Sequence, residues 1–143
     1  MKDLVIDGSV VLKWYLSDEE YCEKALDILE GYISGYFHLH APALLEFEVA
    51  NGLVIAKRRG RVDDTVILKA VEGFVELDIM LHTLSSLLGK VLDYSDRYNI
   101  SAYDAAYVAL ADELDSRLVT ADRRLFNSIR KLGFVKWIGE FKR

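Results

Sequence analysis

Four acidic residues sit where a parallel sheet would gather them. Asp7 ends the apolar run Leu4-Val5-Ile6, which reads as a buried parallel strand. Glu48 lies in the first two turns of the helix expected after the second strand. Asp104 falls in the first turn of a helix opened by Ser101, and Asp122 directly follows a fourth strand. In open α/β sheets, ligands collect at the carboxyl ends of the strands. Strand-to-helix junctions and helix N-termini face that same edge, so the four carboxylates would surround one small volume. Taken singly, each has a plain structural reading. Asp7 precedes Gly8 and suits a turn, Asp104 can complete the cap begun by Ser101, and Asp122 can be an N-cap. Glu46 rivals Glu48. At about 100° per residue the two fall on opposite flanks of the buried stripe, and the wheel does not choose between them.

Taken together, the acids are harder to explain as structure. Two carboxylates ~4 Å apart cost up to about 4 kcal/mol at an effective dielectric near 20, and a fold keeps such a cluster only with a compensating cation. An oxygen-only ligand set suits Mg²⁺ or Mn²⁺ rather than zinc. Such an ion polarises a phosphoryl oxygen and makes hydroxide available near neutral pH. The predicted chemistry is therefore in-line hydrolysis of a phosphodiester. No Gly-x-x-x-x-Gly-Lys-Ser/Thr loop is present for nucleotide-driven work, and no Ser/His/Asp arrangement is visible.

The elements that must position these acids alternate along the chain. Strands are expected at residues 4–7, 37–41, 79–82, 117–120 and 134–138. A short helix should follow Asp7 over 9–16. Ser17 with Glu20 makes a capping-box pattern that should open a helix to about residue 33, burying Ala25, Ile28, Leu29 and Tyr32. Pro42 suits the first position of a helix over 42–57, ending at Gly60. This helix is apolar nearly all the way round, which predicts burial on one side and a partner surface on the other. Asp63 or Asp64 caps the next, with Val66, Ile67, Ala70, Val71 and Phe74 inward. Ser85 or Ser86 starts one that runs to about Tyr98. Helix 102–114 follows, and a last one runs from Asp122 to near Gly133. The alternation predicts an α/β fold of three layers, α/β/α, with a mostly parallel sheet of four to five strands and helices on both faces. His38 and His40 share one face of the second strand and read as hydrogen-bonded or half-exposed residues rather than ligands.

The totals fit a single domain over 1–143. Apolar residues make up 52% and charged residues 29%, a soluble globular composition. No apolar run approaches the ~18 residues of a membrane span, and no signal peptide is expected before the first strand. The single Cys22 allows no internal disulfide, which fits a reducing cytoplasm. A net charge of −5 argues against binding nucleic acid by bulk charge, while leaving room for a local basic strip or bound cations.

Four stretches, in order, resemble the PIN-domain family and within it the VapC-like toxins of prokaryotic toxin–antitoxin pairs. They are Val5-Ile6-Asp7-Gly8-Ser9-Val10-Val11-Leu12-Lys13-Trp14, then Glu48-Val49-Ala50-Asn51. The third is Ser101-Ala102-Tyr103-Asp104-Ala105-Ala106-Tyr107-Val108-Ala109-Leu110-Ala111, and the fourth Leu118-Val119-Thr120-Ala121-Asp122-Arg123-Arg124-Leu125. Together they span almost the whole chain. The resemblance implies a Mg²⁺- or Mn²⁺-dependent endoribonuclease whose acidic site maps onto Asp7, Glu48, Asp104 and Asp122. It also favours Glu48 over Glu46, because Glu48 begins the second stretch. Ser9, Asn51 and Thr120 fall at polar positions that in such a family support the acids or their waters. The resemblance further implies a homodimer, with helix 42–57 as its expected surface, and a cognate VapB-like antitoxin that blocks the site. Gly8 stands where a small Ala is often found.

On this reading Asp7 and Asp104 are the central metal ligands, and Glu48 and Asp122 complete the cage or orient the attacking water. Two divalent ions would bring the net charge from −5 to about −1. The basic strip Lys57-Arg58-Arg59-Gly60-Arg61 reads as a solvated helix end. Arg123 and Arg124 oppose the dipole of their helix, so they call for compensation, either from Asp122 or from an RNA phosphate. Rival readings are a metal-dependent phosphatase or DNA nuclease with the same acids, and a non-catalytic binding partner that keeps the fold. A phospho-acceptor receiver domain shares a strand-end Asp, but here the first acid is in strand one without the acidic pair and Lys expected around such a site.

Overall fold

The computed structural model describes residues 2–143. Five short strands, β1 (Lys2–Ile6), β2 (Phe37–Pro42), β3 (Met80–His82), β4 (Arg117–Thr120) and β5 (Val135–Trp137), form one parallel sheet in the order β3-β2-β1-β4-β5. The central strands are covered on both faces. Leu4, Val5, Ile6, Leu118 and Val119 are all fully buried, which is why they read as unbroken apolar runs rather than alternating ones.

Seven helices connect them: α1 (Gly8–Val11), α2 (Cys22–Ile33), α3 (Leu45–Arg58), α4 (Asp64–Leu77), α5 (Leu88–Tyr98), α6 (Ala102–Glu113) and α7 (Arg123–Ile129). Right-handed crossovers put the helices that follow β1 and β2 on one face and those around β4 on the other. Helix α6 lies against β1, β2 and β4. Its stretch Ala105–Ala111 is buried without a break, as expected of a helix that is apolar all round. The three-layer α/β/α architecture expected from the sequence is present, with five strands.

Several element boundaries differ from expectation. The capping box at Ser17 does not form, and α2 begins at Cys22 after Tyr21, whose φ is 62°. Asp18 and Glu19 are engaged elsewhere. Arg61 holds them at 2.6 and 3.1 Å, and Lys13 lies 3.7 Å from Glu19. Helix α3 begins at Leu45 rather than Pro42. Pro42 stays in β2 opposite His82, and the Ala43 N–H donates to the His82 carbonyl at 2.9 Å, prolonging the strand pairing. In α4, Ala70 and Phe74 are buried, but Val66 and Val71 face solvent at 38% and 41% exposure. Asp63 supplies the cap, accepting from the Val66 N–H at 2.9 Å. Helix α7 stops at Ile129, short of Gly133.

Of the two histidines of β2, His38 is exposed and His40 is hydrogen-bonded. His40 is buried, with Nε2 2.9 Å from Asp3 Oδ1 and Nδ1 2.9 Å from His82 Nε2. The hydrogen bond to His40 holds the Asp3 carboxyl below its usual range, and burial depresses His82. In the basic strip, Lys57 pairs with Asp64 at 2.5 Å and Arg61 with Asp18. No helix among the described residues is long and apolar enough to cross a membrane.

Gly52 sets how closely α3 approaches the turn after α1. A Cβ there would lie 2.3 Å from Leu12 Cδ1. Gly52→Ala gains about 1 kcal/mol in helix propensity but must displace Leu12, an overpacking cost of about 1–3 kcal/mol. The expected result is a net loss of up to about 2 kcal/mol, read as a lower urea midpoint at unchanged slope.

Candidate active site

The strand order reverses at β1 and β4, and the crevice outside their carboxyl ends is where such a sheet binds ligands. Asp7 sits there, immediately after β1, and is 5% exposed. It caps α1. Its Oδ1 accepts from the Ser9 hydroxyl at 2.5 Å and from the N–H groups of Ser9 and Val10 at 3.1 and 3.3 Å. Its Oδ2 accepts from the Thr120 hydroxyl at 2.5 Å. Thr120 ends β4, is fully buried, and accepts in turn from the Asp122 N–H at 3.0 Å. The Ser9 hydroxyl accepts from the Ala121 N–H at 2.8 Å. Two hydroxyls thus tie the turn after β1 to the turn after β4, and the acid after each strand is fixed relative to the other.

The remaining acids arrive on helices from both layers. Ser101 caps α6, its hydroxyl accepting from the Asp104 N–H at 3.0 Å, which sets Asp104 in the first turn. Glu48, in the first turn of α3, is half-buried against Gly8, where an added Cβ would lie 3.1 Å from Glu48 Cβ. The buried Tyr107 donates its hydroxyl to Glu48 Oε1. Glu48 and Asp104 line one cleft of about 500 Å³ with Asn51, Ser101, Leu44, Phe47 and Tyr103. Asp104 and Ser101 also line an adjoining cleft with Arg124. Asp122 caps α7, accepting from the Leu125 N–H at 3.1 Å. Glu46 is exposed and lies outside the lining of the acid cleft.

The two arginines part company. Arg123 lies over Trp137, 3.8 Å from the ring centroid, whereas Arg124 faces the cleft beside Asp104 and favours its ionised form. Among the described residues neither forms an ion pair with Asp122, nor does any Lys or Arg pair with Asp7, Glu48 or Asp104.

The electrostatics show what that lack of pairing does. Burial pushes the Asp7 carboxyl up to about 6, against the pull of Ser9 and Thr120, and the charge of Asp122 adds to the rise. Burial lifts Glu48 to about 7, with Asp7, Asp104 and Asp122 all contributing repulsion. Asp104 is raised by burial and then by Asp122. The four groups therefore share one field, and their oxygens are the donor chemistry of a hard divalent cation. As the side chains stand, no three Asp, Glu, His or Cys among the described residues close on a common point; Asp7 accepts from its two hydroxyls and Glu48 from Tyr107. The oxygen donor set and the lack of ion-paired bases fit a hard divalent cation.

Tyr107 was not singled out from the sequence. It stands three residues after Asp104, so one turn of α6 puts both on the same side. That spacing was legible, but an aromatic in an apolar helix reads as core. Its hydroxyl is pushed far up by burial and by Glu48, so it remains a donor throughout the working pH range.

A parallel sheet that gathers carboxylates at its switch point places the chain among α/β proteins with an acidic site. Known proteins narrow this. The PIN-domain family model matches residues 4–132, and the chain belongs to that family. It is 34% identical over 122 residues to the VapC ribonuclease Mb0985 of Mycobacterium bovis, covering 85% of this chain and 87% of the relative. It is 31% identical over 126 residues to ribonuclease VapC3 of Pyrobaculum aerophilum, covering 85% and 91%. The crystal structure of PAE2754 from Pyrobaculum aerophilum shares the fold at a TM-score of 0.67 and 21% identity, covering 96% of this chain and 92% of that one.

The raised acids make a stability prediction. A carboxyl whose pKa is higher in the folded than the unfolded chain stabilises the fold at low pH, and that contribution is lost as pH rises through the folded value. For Asp7 the rise from 3.8 to about 6 corresponds to roughly 3 kcal/mol. In EDTA the melting temperature should fall between about pH 4 and pH 7, the span from the ordinary carboxyl values to the raised ones, and Asp7→Asn should flatten the lower part of that fall. A wild-type melting temperature that does not change with pH in EDTA contradicts this account.

Proposed function

We propose that this chain is an endoribonuclease of the VapC type that hydrolyses RNA phosphodiesters with Mg²⁺ or Mn²⁺. The reading is supported by the mutual repulsion among Asp7, Glu48, Asp104 and Asp122, none of them ion-paired with a Lys or Arg among the described residues, in a chain akin to named ribonucleases. When bound, a divalent cation supplies Lewis-acid polarisation of the phosphoryl group and a more acidic water.

The chain's own residues do the rest. Ser9 and Thr120 hold Asp7 in one orientation and keep it supplied with donors to its ionised form. Asp7 and Asp104 would be the central residues holding the ion, and Asp122 would complete the set. Tyr107 occupies Glu48 Oε1, which leaves Oε2 to orient the attacking water and take its proton. A carboxyl lifted to about 7 is suited to that transfer near neutral pH. Arg124, beside Asp104, is placed to meet a substrate phosphate, while Arg123 is engaged with Trp137. Asn51 lines the cleft beside Glu48 as a supporting polar group.

Two partners accompany this reading. One is a cognate VapB-like antitoxin that covers the acidic edge. The other is a second copy of the chain, for which Val54 and Ile55 of α3, 41% and 38% exposed, provide apolar surface. The chain works in the cytoplasm.

Asp7→Asn and Asp104→Asn should each lower RNA cleavage by at least about 100-fold, the scale of removing one group that acts on developing charge, while cooperative unfolding persists. EDTA should abolish wild-type cleavage. Mg²⁺ or Mn²⁺ should raise the wild-type melting temperature, because a ligand of the folded state stabilises it, and the two variants should lose that rise. Parallel assays on DNA and on a phosphomonoester should show RNA as the preferred substrate. Full activity in both variants refutes the assignment.

A further inference from the structure

Phe47 and Tyr103 are the most exposed aromatic rings among the described residues, at 78% and 69%. Scattered surface apolar residues need no explanation, but these two are not scattered. Each immediately precedes one of the cleft acids, Phe47 before Glu48 and Tyr103 before Asp104. Both rings line the same cleft of about 500 Å³ as those acids. Each pair begins a helix, and a step of one residue turns about 100° around the helix. The acid therefore sits half-buried while the ring beside it stays out at the rim. Neither ring packs against another aromatic ring or a cation among the described residues.

We infer that Phe47 and Tyr103 form a base-stacking subsite, taking the nucleobase next to the phosphodiester that reacts between Asp104 and Glu48. The inference rests on the ribonuclease reading above and adds what the site recognises besides phosphate. Every base has a π-face, and an exposed aromatic side chain at a single-strand site is worth about 1–3 kcal/mol per stacked base. Unstacked bases of single-stranded RNA are commonly held this way. The adjoining cleft continues the path. Asp104 and Ser101 line both clefts, and Arg124 lines the second. A strand crossing Asp104 thus has a cation for a phosphate on one side and two rings for a base on the other. The subsite makes the enzyme selective for unpaired RNA, because a base held in a duplex cannot reach the rings.

The test uses a fluorescent single-stranded oligoribonucleotide of about twelve nucleotides that the wild type cleaves with Mg²⁺, with light scattering and thermal melting run on every variant. Phe47→Ala and Tyr103→Ala should each raise KM by roughly 5- to 150-fold, the range of one lost stack, with kcat changed much less. Phe47→Trp and Tyr103→Phe, which keep a ring, should bring KM back to near wild type. Replacing the base beside the cleaved bond with an abasic residue should weaken the wild type to the same degree. It should cost much less in whichever alanine variant has lost its partner ring. Unchanged KM in both alanine variants overturns the subsite. So does a changed molecular mass with unaltered RNA kinetics, which would assign the rings to a protein contact instead. Failure of the wild type to cleave any RNA would count against the ribonuclease reading and take the subsite with it, whereas cleavage that is indifferent to the rings sinks the subsite alone.

Discussion

Like charges held together at one edge of the sheet are the constraint on which the rest of this structure turns. Asp7 is nearly inaccessible to water, and its carboxyl would be expelled or protonated but for the donors supplied to it. Two hydroxyls and two backbone N–H groups converge on its oxygens. Hydrogen bonds to a charged group are worth about 1.5–3 kcal/mol each, yet they do not overcome burial, since the carboxyl is still pushed up to about 6. The fold therefore keeps a group that is poised rather than satisfied. The same hydroxyls pin the reversal of strand order, because Thr120 ends β4 and Ser9 opens α1. The site and the topology are thus fastened by one set of contacts.

Helix α6 brings the opposite layer to the same edge. Its cap residue, Ser101, fixes where it starts, and its buried alanines let it lie closely across the central strands. One side then carries Asp104 at the rim and Tyr107 a turn deeper. Because Tyr107 grips Glu48 of α3, the two layers are joined through a single carboxylate. A helix buried along its whole middle cannot rotate without unpacking, so Asp104 and Glu48 keep their separation as the core keeps its packing.

Much of this was legible in the sequence, and the parts that were not share a cause. Leu4-Val5-Ile6 before Asp7 and Leu118-Val119-Thr120 before Asp122 announced strands that end in acids, because central parallel strands tolerate no alternation. Ser101 and Asp63 announced helix starts, because their side chains act within the next turn. Ser17 misled for the complementary reason. Its pattern is local, but Asp18 and Glu19 are claimed by Arg61, more than forty positions on, and no local rule sees that far. Pro42 failed likewise, being held in β2 by its pairing with β3. Tyr107 was hidden because its partner lies on another helix. The choice of Glu48 over Glu46 needed the family likeness, since a helical wheel knows the buried stripe but not what stands opposite it.

An acidic protein must still hold a polyanion, and the distribution of charge limits how. With a net charge of −5, long-range attraction does not gather RNA. The basic strip at the end of α3 is partly spent on Asp64, Asp18 and Glu19, and Arg123 is drawn onto Trp137. Arg124 remains beside Asp104, so few phosphates can be neutralised by side chains, and the dependence of binding on salt should be correspondingly shallow. Affinity must then come from terms that bulk charge does not govern. On the proposed reading, cations held by the carboxylates would turn a repulsive edge into an attractive one at short range, and the aromatic surface beside it would reward bases whatever the sign of the field.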